Sequence, residues 1–329
     1  MSTEGITQDE AVLYDRQIRL WGLAAQQRIR DANVLVAGLR ALSNEVCKNL
    51  ALAGIGSITI LDHEIVTEED LGAQFFLSDS DIGKNRAVAS APAIQSLNPR
   101  VDVVVDQENI NDKPDAYFLE FDIVCLVHKD LDVAVRINEL RRNAGKPFYT
   151  ADAFGWFGYI FCDLKSHSYI EERKQMPTDP KSGQEPTIIR NSRVESYVGL
   201  RDSLKKTWTE KELRKLRRQT PQLSFMIHIW MRFQQQHGRK PTRDDVSTLL
   251  ENKARYLGEM GVNDPSKLDD ELINNFISLY DTEMAPVAAI VGGVLAQEII
   301  KVLSAKELPI QNWFYYNGLD GTGLVLQLE

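Results

Sequence analysis

Apolar residues in this chain fall into short unbroken runs, separated by longer stretches with helical spacing. Residues 33–38 (NVLVAG) form one such run, closed by glycine, the pattern of a strand buried on both faces. Leu42, Val46, Leu50 and Leu52 then recur near the helical repeat, with Gly54 and Gly56 as stop signals. Residues 57–62 (SITILD) make a second buried run ending in an acid. Strand, helix and strand within about 30 residues predict a βαβ unit with parallel strands.

The same alternation continues. Residues 84–97 predict a helix stopped by Asn98-Pro99, and 101–105 (VDVVV) and 122–127 (DIVCLV) predict two more buried strands. A helix over 131–144 follows, and residues 146–150 lead into a further strand. Repeated β and α segments predict an α/β fold with a doubly wound, mostly parallel sheet. The aromatic stretch 154–164 (FGWFGYIFCDL) extends that sheet in another style, read as antiparallel. At the N-terminus Thr7 and Glu10 form a capping-box pattern. In the helical stretch after it, Tyr14, Ile18 and Trp21 share one side, Arg16 and Arg19 point elsewhere, and Gly22 interrupts.

The middle of the chain changes character. Residues 171–196, rich in charge, Pro, Ser and Gly, read as a mobile linker. Helices are predicted over 209–218, 222–236, 243–259 and 269–280, and the basic run 211–218 (KELRKLRR) reads as a solvated helix face. Residues 163–282 therefore read as a mainly helical insertion without cysteine, splitting an α/β domain into 1–162 and 283–329. Pro286 suits the first turn of a long apolar helix, in which Gly292-Gly293 suggest close packing on the sheet or on a partner. Two strands around a Gly-Leu-Asp-Gly turn close the fold.

Composition narrows the function classes. With 329 residues the chain can bury a sizeable core, and a net charge of −9 argues against a general nucleic-acid surface. Cys47, Cys125 and Cys162 lie in apolar stretches with no metal or disulfide spacing, and are read as buried small hydrophobes in a reducing compartment. The polar N-terminus has no signal-peptide core and no run reaches ~18 apolar residues, so the expectation is a soluble intracellular protein without membrane contact.

The βαβ unit would normally hold a nucleotide, with phosphate at the helix N-terminus and the acid near the ribose. Its loop is degenerate, however. Gly38-Leu39-Arg40-Ala41-Leu42-Ser43 keeps only the first glycine of G-x-G-x-x-G, and side chains at the other two obstruct phosphate and helix packing. A dinucleotide-dependent oxidoreductase is disfavoured by Arg40 and Ser43 in that loop.

Three segments together carry a family resemblance: YDRQIRLWG (14–22), ILDHEIVTEEDLGAQF (60–75) and MAPVAAIVGGVLAQEIIK (284–301). The chain resembles the activating enzymes of ubiquitin-like proteins. Such enzymes adenylate the modifier's C-terminal glycine with Mg-ATP and pass it to a cysteine. Their Rossmann-like adenylation units come as a pseudo-symmetric pair, one active and one inactive. In length and order this chain is similar to the smaller, inactive member of a SUMO-type pair.

The resemblance implies what is missing. Gly72 and Ala73 replace the Asn and Arg that active members use on ATP phosphates, and Leu131, between Asp130 and Asp132, stands where they place a magnesium-binding Asp. Gly38, Asp62 and Lys84 match nucleotide-contact positions but are read as degenerate remnants. No cofactor or metal site of its own is expected, and Mg-ATP is expected on the partner. The arginine of the N-terminal motif, Arg16, is implied to reach in trans to the partner's ATP phosphates, with Arg19 structural. The implied partners are the larger, catalytic subunit of a SUMO-activating enzyme and, through the complex, a SUMO-like protein and its conjugating enzyme. Nuclear residence is implied as well. The alternatives are a regulatory subunit for a NEDD8-type modifier, which is typically longer, and a self-sufficient adenylating enzyme of the bacterial sulfur-carrier type.

Overall fold

The computed structural model describes residues 5–175, 187–216 and 221–328. Three helices lead in: α1 (Gln8–Leu13), α2 (Asp15–Trp21) and α3 (Leu23–Asp31). The capping box expected from sequence starts α1, with the Thr7 amide donating to Glu10 Oε2 at 2.8 Å. Gly22 separates α2 from α3 as its position suggested. Tyr14 turns inward, where its hydroxyl accepts from Asn98 Nδ2 at 2.8 Å.

The βαβ unit follows as β1 (Asn33–Ala37), α4 (Ala41–Ala53) and β2 (Ser57–Leu61), with β1 and β2 parallel from Asn33↔Ser57 to Ala37↔Leu61. Helix α5 (Arg86–Leu97) leads to β3 (Asp102–Asp106), then β4 (Ile123–Val127), α6 (Leu131–Asn143), β5 (Phe148–Phe154) and β6 (Phe157–Asp163). The last elements of the sheet layer are α12 (Ala285–Ser304), β9 (Trp313–Asn317) and β10 (Thr322–Leu326). The sheet order is β10-β9-β6-β5-β4-β1-β2-β3. Pairs from β5 across to β3 are parallel, whereas β5–β6, β6–β9 and β9–β10 are antiparallel. The mostly parallel α/β sheet expected from sequence is therefore present, including its antiparallel extension. One detail is corrected. Strand β3 lies at the sheet edge, and Val104 and Val105 are exposed rather than buried, because an edge strand has a neighbour on one side only.

Two cores flank the sheet. On one face Leu42, Val46 and Leu50 of α4 pack with Val291, Leu295 and Ile299 of α12. Helix α12 is long and apolar enough to cross a membrane by length and composition, but it packs against α3, α4, β5 and β6 as a core helix. Gly292 permits that packing. A Cβ there would stand 2.7 Å from the Leu42 carbonyl oxygen and 2.7 Å from Glu45 Cβ, while one on Gly293 would meet nothing within 4 Å.

The other face carries the middle of the chain. The linker reading of 171–196 is corrected wherever those residues are described: β7 (Ser166–Gln175) pairs antiparallel with β8 (Thr187–Ser196) as a two-stranded sheet. Side-chain composition suggested a linker, but continuous backbone pairing between the two segments overrides it. Residues 176–186 lie outside the described residues. Helices α7 (Leu200–Ser203), α8 (Glu210–Lys215), α9 (Gln222–His237), α10 (Val246–Glu259) and α11 (Asp270–Leu279) follow. The helix expected over 209–218 is described to Lys215, and the end of its basic run lies outside the described residues. Phe225, Ile229, Trp230 and Phe276 of α9 and α11 bury against Phe154, Tyr159 and Trp313 of the sheet.

Candidate functional site

The order of the parallel strands reverses at β1, which lies between β4 and β2. In open α/β sheets a ligand binds outside the carboxyl ends of the strands at such a switch point. Here that crevice is filled by the chain's own groups. Gly38, at φ +95°, lies so close to β4 that a Cβ would collide with the Val127 carbonyl and approach Lys129 Cε. The retained glycine thus serves strand closure.

Asp62 is buried and tied to backbone. One carboxylate oxygen accepts from the Leu39 amide at 2.5 Å and the other from the Glu64 amide at 2.8 Å. It therefore holds the β1 and β2 ends together instead of facing a ribose. Lys84 donates to Asp81 at 2.9 Å, three residues away on the surface.

At the N-terminus of α4, where a phosphate would sit, the Glu283 carboxylate accepts from the Ala41 amide at 2.7 Å and faces Arg40 Nε at 3.5 Å. It comes from the segment just before α12, anchored by the Gly155 amide donating to Thr282 O at 2.6 Å. Burial pushes the Glu283 carboxyl up, and Arg40 with the Ala41 amide only partly offset this. A phosphate here would meet the Glu283 carboxylate already seated on the Ala41 amide, an arrangement that opposes an anionic nucleotide.

Beside it stands a group that the sequence patterns did not single out. His128, at φ +53° after β4, holds Asp152 of β5 at 3.0 Å through Nδ1, while its Nε2 lies 3.1 Å from Lys240 Nζ, between α9 and α10. Burial raises the Asp152 carboxyl, but His128, with Lys240 and Arg40 behind it, overturns this and holds it below its ordinary value. The cluster joins residues 112 positions apart in the chain, so no local motif could have announced it.

The loop after β2 is locked by Arg86. This buried side chain pairs with Asp70 at 3.0 Å and with Glu64, and Asp70 also accepts from Gln74 at 2.7 Å. Gly72 and Ala73 follow in the same loop, with open space where a Gly72 side chain would project. Leu131 is buried at the start of α6, whereas Asp130 and Asp132 are exposed. No metal-holding cluster of His, Cys, Asp or Glu occurs among the described residues.

All three cysteines are fully buried and free. Burial pushes the Cys47 thiol up to about 12 and raises Cys125 and Cys162 too, which disfavours any reactive thiolate.

Arg16 presents the opposite environment. It is exposed on α2, with no hydrogen bond or ion pair among the described residues. Arg19 by contrast is held by Asp15 at 2.9 Å. Around Arg16, Val12, Leu13, Leu20 and Leu23 are each more than half exposed.

Comparison with known proteins agrees with this architecture. The ThiF family model matches residues 14–328. SUMO-activating enzyme subunit 1 of Bos taurus is 39% identical over 337 residues, covering 98% of this chain and 96% of that protein. The Homo sapiens protein of the same name is 37% identical over 336 residues, with the same coverage. The crystal structure of selenomethionine PaaA superimposes with a TM-score of 0.60 at 15% identity, covering all of this chain and 86% of that one, a likeness of fold alone. This chain belongs to the ThiF family, as a homologue of SUMO-activating enzyme subunit 1.

Proposed function

We propose that this chain is the non-catalytic subunit of a heterodimeric SUMO-activating enzyme. It pairs with the larger, catalytic subunit and supports ATP-dependent adenylation of the SUMO C-terminus, which that subunit then carries as a thioester on its own cysteine before transfer to the conjugating enzyme. Mg-ATP binds the partner and not this chain. The insertion, residues 163–282, helps to frame the groove for the modifier, and the complex works in the nucleus.

The observation that carries this reading is Arg16, a guanidinium without an ion pair among the described residues, set among exposed apolar side chains. Such a patch suits a hydrophobic partner surface. A planar guanidinium delivered by that contact can pair with phosphate oxygens and steady the charge that develops as acyl-adenylate and pyrophosphate form. The blocked α4 N-terminus and the desolvated thiols support the division of labour, since chemistry must then come from the partner.

ATP–pyrophosphate exchange in the presence of SUMO tests it. The chain alone is expected to be silent, the pair with a SUMO-type catalytic subunit active, and the pair carrying Arg16→Ala slower by about 10²–10³-fold, the cost of removing a comparable transition-state donor. Exchange by the chain alone would sink the reading, and a pair indifferent to Arg16→Ala would remove the in-trans role.

A further inference from the structure

Strand β10 is the last strand of the sheet and has a neighbour, β9, on one side only. Edge strands are normally blunted by Lys, Pro or a covering element. This one reads TGLVL, carries neither Lys nor Pro, and leaves Val325 51% exposed. Among the described residues no strand pairs with its outer row of peptide groups.

A groove of about 510 Å³ runs along the same edge, between β9–β10 and the starts of α9 and α11. Thr322 and Leu324 line it, so Gly323 and Val325 face the other side of the sheet. Asp269, Glu271 and Asp320 bring three carboxylates to the groove, and no Lys or Arg among the described residues lines it. Asp269 is engaged in capping α11 and Asp320 in the β9–β10 turn, but Glu271 has no ion-pair partner among the described residues.

We propose that this edge docks an extended segment of a partner protein by adding it as a ninth strand beside β10. Backbone pairing supplies the affinity and alternate side chains the selectivity. On the groove face those side chains meet carboxylates, and on the opposite face they meet Val325. The fitting occupant therefore alternates Lys or Arg with apolar residues.

The probe is a fluorescein-labelled peptide of sequence KVKVRV, titrated into the full chain by fluorescence anisotropy, with EVEVEV as control. Hydrogen exchange of the 322–326 amides is followed in parallel. The basic peptide is expected to bind, to slow exchange across 322–326, and to bind about fivefold more weakly to Glu271→Lys, as reversal of one rim charge predicts. Val325→Lys, an exposed substitution that charges the edge, weakens it independently. Absence of binding, equal binding of EVEVEV, unchanged exchange at 322–326, or indifference to both substitutions would each overturn the assignment.

Discussion

The carboxylate of Glu283 caps the amide of Ala41 at 2.7 Å, so the segment entering α12 closes the start of α4 across 242 residues of sequence. The same carboxylate faces Arg40. Removing it uncaps the helix and strands a guanidinium that is largely buried. Glu283→Ala is expected to cost about 1–2 kcal/mol in urea denaturation. Glu283→Gln keeps an acceptor for Ala41 and should recover at least half of that loss. Equal losses would show that the charge toward Arg40, and not the cap, is what matters.

Asp152 makes a pH prediction. Its native carboxyl lies below the ordinary value of 3.8, which the unfolded chain keeps. As pH falls below 3.8 the unfolded state takes up a proton that the native state refuses, so stability falls until the native carboxyl protonates too. Above 3.8 the contribution is fully present. Asp152→Asn should flatten this part of the acid limb, measured as denaturation midpoint against pH between 2 and 5. An unchanged limb would place the acid sensitivity in other carboxylates.

The paired glycines of α12 should behave oppositely. Gly292→Ala forces α12 away from Leu42 and Glu45 and is expected to cost about 1–3 kcal/mol by overpacking. Gly293→Ala meets open space and should stabilise the isolated chain by about 0.4–1 kcal/mol through the helix interior. Chemical denaturation of the two variants side by side decides this. If Gly293→Ala weakens assembly with a catalytic subunit while stabilising the free chain, that helix face lies in the contact.

Arg16 is exposed and makes no hydrogen bond or ion pair among the described residues. Arg16→Ala should leave the thermal midpoint of the free chain where it is, because an exposed, unpaired side chain is being shortened. A clear drop in the midpoint would reveal a structural role and would confound any loss of exchange activity in the pair.

What was legible in the sequence follows a physical divide. Strands β1, β2 and β4 are sealed on both sides, so their composition is nearly uniform and readable, as in NVLVA and IVCLV. Glycine stops and the Thr7 cap act over three or four residues and were equally visible. The β7–β8 pair was missed because much of it is charged or polar, and the backbone ladder that joins the two segments is not recorded in composition. At the candidate site the broken loop could be read, since Leu39 to Ser43 stand in one row of sequence. What fills it could not. Glu283 and Lys240 arrive from far along the chain, Arg86 locks Asp70 from a different element, and only folding brings these charges together.

The pairing of β6 with a strand far along the chain also sets an order of assembly. Strand β6, buried along its whole length, pairs on one side with β5, which precedes it closely, and on the other with β9, made about 150 residues later. During synthesis the outer edge of β6 must wait, its backbone unpaired on that side, until β9 leaves the ribosome. Truncation near the C-terminus would make that interval permanent and leave a hydrophobic edge free to pair with other nascent chains.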